Sequence, residues 1–78
     1  MTETWSNGPG AVYAPHAHPY RKTLTCLEGS ITFTVHEGAA SREVRMKAGD
    51  VLDLAPGAVH SAVVGPKGAT CSEVHASA

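Results

Sequence analysis

From residue 30 to residue 36 the chain alternates without a break. Ile31, Phe33 and Val35 fall on one side, and Ser30, Thr32, Thr34 and His36 on the other. A period of two marks a strand with one buried face. The same reading predicts strands over residues 23–28, 42–47, with Val44 and Met46 inward, 51–54, 60–64 and 69–75. Turn residues separate them: Gly29, the loop 37–41, Lys47-Ala48-Gly49-Asp50, Ala55-Pro56-Gly57 and Gly65-Pro66-Lys67-Gly68. No segment holds a 3.6-residue apolar period for three turns, so no helix is expected. Short strands at regular spacing describe an all-β sandwich or a small barrel. The first 14 residues are less regular, and Trp5, Val12 and Tyr13 there suit an edge strand. No internal repeat, linker or low-complexity segment interrupts the pattern.

At 78 residues the chain is read as a single domain over 1–78. A domain this short buries a modest share of its surface, so barrel closure or a homodimer would help hold it. The formal net charge is −1 with both signs interspersed, which speaks against a phosphate-tracking surface and hence against nucleic acid. No apolar run approaches the ~20 residues of a membrane span. The start, Met1 to Ser6, lacks a basic segment followed by an apolar one, so a cytoplasmic protein is expected. In that compartment Cys26 and Cys71 are expected as thiols.

The chemistry concentrates on histidine. His16 and His18 are two apart between Pro15 and Pro19. In an extended segment such residues point to the same face, so both imidazoles can reach one point. A third ligand must come from elsewhere, and His60 opens a strand just after the Pro56-Gly57 turn. Three imidazoles suit Zn, Fe, Ni, Cu or Mn and leave coordination positions open. The spacing alone is a weak signal. A polar, metal-free pocket and, in an open sandwich, three separate surface histidines are the competing readings. No nucleophile elbow, phosphate-binding glycine loop, Cys-x-x-Cys pair or dinucleotide fingerprint is present.

Gly10, His16, His18 and Gly29 are spaced as in the first motif of the cupin family, which they resemble. The run from Gly49 through Pro56, Gly57 and His60 to Val64 is similar to the second. The resemblance implies a double-stranded β-helix (jelly-roll) barrel, with motifs at about 10–29 and 49–64. It also implies a divalent transition metal (Fe, Mn, Ni, Cu or Zn) on His16, His18 and His60, and often a homodimer. Three positions depart from it. Lys22 stands where the family has a Glu ligand, Pro56-Gly57 replaces Pro-x-Gly, and Val64 replaces a final Asn. A lysine is a cation and a poor ligand. If it keeps the parity of the family's Glu, as the resemblance implies, Lys22 faces the barrel interior, where it either anchors an anionic substrate or snorkels to the barrel mouth and pairs with a surface carboxylate. Tyr20 and Cys26 share that inward parity and complete the candidate pocket, with packing as the plainer role for Cys26. The row Cys71, Glu73, His75 is expected on a solvated or dimer-facing strand, and His36 is expected to be exposed. Three functions follow: a metal enzyme of oxygenase or isomerase type acting on a small molecule, a small-molecule binding or sensing module without turnover, or a metal-free structural dimer.

Overall fold

The computed structural model describes residues 2–76, which form six strands and no helix. They are β1 Thr2–Asn7, β2 Val12–His16, β3 Arg21–Glu37, β4 Ala40–Lys47, β5 Val51–Leu54 and β6 Val59–Ala76. Every pairing is antiparallel, and β3 and β6 pair with each other along almost their whole lengths. Their midpoints divide the barrel into two layers. In one, the first half of β3 lies between β5 and the second half of β6, with β1 outside β6. In the other, the second half of β3 lies between β4 and the first half of β6, with β2 outside β6.

The predicted strands 23–28 and 30–36 are therefore one strand, as are 60–64 and 69–75. The residues that look like turns between them are corners. Register shifts at Cys26/Glu28 and Gly29/Ile31 bend β3 without ending its ladder, as bulges do. Residues 65–68 of β6 stand out of register opposite Ser30. Gly29 has φ +73°, and a Cβ there would lie 2.0 Å from the Gly68 carbonyl oxygen, so only glycine fits. The bend switches parity. Leu24 and Cys26 point inward before it and Ile31, Phe33 and Val35 after it; on β6, Ala62 and Val64 give way to Ala69 and Cys71. The two layers thus share one core, which Met46, Leu52 and Leu54 complete. Burying each large aliphatic side chain contributes about 1.5–3 kcal/mol.

Two further expectations shift. The expected single edge strand is two strands, β1 and β2, which flank opposite halves of β6. The hairpin loop is shorter than 37–41, because pairing continues to Glu37 and Ala40 and leaves Gly38-Ala39 as the turn. His36 is exposed, as expected. Among the described residues no helix is long and apolar enough to cross a membrane.

Candidate metal centre

His16 and His60 face each other across the β2–β6 ladder, just beyond a register shift in β2. His18 follows the end of β2. Its carbonyl accepts a hydrogen bond from the Gly57 N–H at 2.8 Å, which ties it to the turn preceding His60. Ring centroids are 4.4 Å apart for His16–His60, 4.9 Å for His16–His18 and 5.5 Å for His18–His60. One ligand nitrogen from each lies within 4.8 Å of the others.

Hydrogen bonds orient the rings. His16 Nδ1 is 2.7 Å from the Ala14 carbonyl, and His60 Nδ1 is 3.0 Å from the Ala58 carbonyl. A carbonyl only accepts, so Nδ1 carries the proton in both neutral rings and Nε2 presents a lone pair. This outer hydrogen bond is the usual support of a metal-binding histidine. His18 Nδ1 meets the Tyr20 hydroxyl at 3.3 Å, while its Nε2 is buried with no hydrogen-bond partner. An orphaned buried polar atom costs about 1–3 kcal/mol. Burial, the charge of Lys22 and the neighbouring His16 lower the pKa of His18; burial does the same at His60, where it outweighs the Ala58 hydrogen bond. The neutral, lone-pair-bearing form is favoured in both. The residues present therefore fit a metal ion.

His16 and His60 form one side of a cavity of about 170 Å³. Trp5, Tyr13, Phe33 and Ala62 give it apolar and aromatic walls, and Lys22 and Glu73 supply opposite charges. Lys22 Nζ lies 3.3 Å from Glu73 Oε2, with both side chains largely buried. Lys22 thus faces inward, as the family resemblance implies, but its partner is an interior carboxylate rather than a surface one. Glu73 also accepts hydrogen bonds from the Trp5 indole N–H and from His75. Burial alone would push the Glu73 carboxyl up; His75, Lys22 and Trp5 outweigh it and hold it below the usual carboxylate range.

The row Cys71, Glu73, His75 is therefore not a solvated face. Cys71 and Glu73 are buried, and His75 is half-buried. Together with Glu3, Glu73 and His75 form a second convergent group of ligand-type side chains. Tyr20 does not line the cavity. It stacks between His18 and His75, with centroids 5.0 and 4.4 Å away, and holds the outer edge of His18. Cys26 is also absent from the cavity wall. It packs in the core opposite Cys71 and donates its S–H toward the Glu28 carbonyl. Both cysteines are free. Val64, at the expected Asn position, is core. Trp5 and Tyr13 went unmarked as site residues in the sequence, and Glu73 was read with Cys71 and His75 as a solvated or dimer-facing row.

The model of the cupin domain family matches residues 4–71 of this chain. The chain belongs to the cupin family. Among solved structures, this cupin superposes on Bacillus subtilis oxalate decarboxylase with a TM-score of 0.91 at 22% identity, covering 97% of this chain and 20% of that one. It superposes on the Drosophila melanogaster CENP-C cupin domain with a TM-score of 0.90 at 11% identity, covering 97% and 60% respectively. The chain thus spans a fifth of the decarboxylase and three fifths of the CENP-C chain. Likeness at these identities concerns the fold. The decarboxylase has Mn(II) centres. No curated protein matches this cupin by sequence.

Proposed function

We propose that this cupin holds a divalent transition metal on His16, His18 and His60 and presents it to a small molecule in the adjoining cavity. The observation that carries the reading is the buried, partnerless Nε2 of His18, set beside two rings whose Nδ1 protons are fixed on backbone carbonyls. Three neutral imidazoles suit Fe, Mn, Ni, Cu or Zn, and affinity alone does not choose among them. The Mn(II) centres of the structurally similar decarboxylase make Mn²⁺ the first ion to try.

A bound ion supplies Lewis acidity toward a carbonyl or carboxyl oxygen. The protein's own contribution is orientation. Ala14 and Ala58 hold two imidazoles, Tyr20 braces the third, and aromatic side chains line the adjoining cavity. Oxygenase or isomerase chemistry would use this arrangement. Binding without turnover is favoured by one observation: the carboxylate lining the cavity, Glu73, is held ionised by three donors and is poorly placed to take a further proton. The proposal includes a homodimer, supported by the exposed Val12 and Val63, which neighbour each other across β2 and β6.

Metal-dependent thermal stabilisation tests the reading. An ion at about 100 times its dissociation constant stabilises by about 2.7 kcal/mol, or roughly 10–20 °C for a domain of this size. A His60→Ala variant should show none of that rise. A melting temperature indifferent to Mn²⁺, Fe²⁺, Ni²⁺, Cu²⁺ and Zn²⁺ would refute the proposal.

A further inference from the structure

Around the histidine cluster the charges do not balance. All three candidate ligands are imidazoles, which bind a metal as uncharged rings. The nearby ion pair of Lys22 and Glu73 cancels itself. A divalent ion held there would keep its full charge inside a partly enclosed, aromatic-walled space, where uncompensated charge is costly. The carboxylate that lines the cavity, Glu73, is committed to Trp5, Lys22 and His75. The Lys22 ammonium has three N–H donors, and Glu73 takes up one direction at 3.3 Å. Lys22 itself lines the cavity together with His16 and His60.

From this juxtaposition we infer that the ligand supplies the missing negative charge: the cavity takes a small carboxylate whose head lies between the histidine cluster and Lys22 Nζ, with an apolar or aromatic body against Trp5, Tyr13 and Phe33. The inference rests on the proposed metal site and names the ligand class that site selects. Lys22 is then a specificity-determining residue, donating a charge-assisted hydrogen bond to the carboxylate. Glu73 holds the ammonium in place, with its own charge already spent on three donors. The cavity's 170 Å³ is close to the ~150 Å³ of an apolar cavity that accepts benzene, so a single-ring or branched-chain acid fits it.

The test uses benzoate and its neutral isostere benzamide on the Zn²⁺-loaded protein, zinc being chosen for its affinity for nitrogen sites. Binding is read by calorimetry and by the fluorescence of Trp5, the single tryptophan of the chain. Metal content is measured on the same sample. Benzoate is expected to bind roughly tenfold or more tightly than benzamide, the size of effect a charged hydrogen bond brings. Lys22→Arg should keep that preference, and Lys22→Gln should lose most of it. Should Lys22→Gln not fold, the wild-type ratio carries the test alone. Equal binding of the two probes by Zn²⁺-loaded protein, or an unchanged ratio in Lys22→Gln, overturns the inference and leaves the metal site standing. A protein that takes up no Zn²⁺ removes the metal reading itself, and this inference with it.

Discussion

Replacing Gly29 by alanine probes the corner where β3 passes from one layer of the barrel to the other. The new Cβ would start 2.0 Å from the carbonyl oxygen of Gly68 and 3.1 Å from the Cα of Ala69. An ordinary carbon–oxygen contact is about 3.3 Å or more, so β3 and β6 would have to part by more than about 1 Å, and the obstacle is backbone that cannot rotate away. Forcing extra volume into a packed site costs about 1–3 kcal/mol. The left-handed backbone at φ +73° adds about 1–2 kcal/mol for a residue with a side chain. The total is about 2–5 kcal/mol. For a chain of 78 residues the whole stability is about 4–12 kcal/mol, so the corner is decisive. The melting temperature followed by circular dichroism should fall by roughly 10–30 °C. Gly10→Ala is the matched control: it has the same φ of +73° but nothing within 4 Å of the added Cβ, so only the backbone cost of about 1–2 kcal/mol applies. Equal losses in the two variants would refute the close approach of the strands at Gly29.

Other predictions concern the site and the core. His18→Phe removes the orphaned Nε2, worth about 1–3 kcal/mol, and keeps a ring against Tyr20 while losing the hydrogen bond to its hydroxyl, worth about 0.5–1.5 kcal/mol, so without metal it should melt modestly higher; a metal-free variant melting below wild type contradicts this. The folded pKa of Glu73 lies below its ordinary value of 4.5, so the stability its ionised form contributes is present above about pH 4.5 and is lost as pH falls through the lower folded value. Acid unfolding of wild type and Glu73→Gln should therefore converge as pH falls below that point, and a constant gap would refute the role of the ionised carboxylate. Burial, with Cys26 alongside, pushes the Cys71 thiol up to about 12, so native protein at pH 8 should resist iodoacetamide at Cys71, and rapid modification without unfolding would show that the thiol is open to solvent.

The strands were legible where alternation is clean, as at residues 30–36 and 51–54, because a one-sided burial pattern has no competing explanation. The corners were not. Glycines at 29, 65 and 68 serve a turn and a bulge equally well, since both use positive φ or a missing Cβ, and only the partner strand decides between them. The histidine cluster was legible because His16 and His18 share a face and the motif spacing supplied His60; the structure adds that His16 and His60 are ladder partners. The interior ion pair was not. The motif position of the family's Glu turned Lys22 inward, but nothing local pairs it with Glu73 some fifty residues later. Fraying at chain ends pointed Glu73 to a solvated or dimer-facing strand. That end is instead covered by β1, whose Trp5 reaches the same carboxylate.

The most direct test of the metal centre is elemental mass spectrometry on purified wild type and on a His16→Ala, His18→Ala double variant, both exposed to the same mixture of Fe, Mn, Ni, Cu and Zn. Near-stoichiometric transition metal in the wild type and none in the variant is the predicted result. A wild type that stays metal-free, or a variant that retains as much metal as wild type, would contradict it.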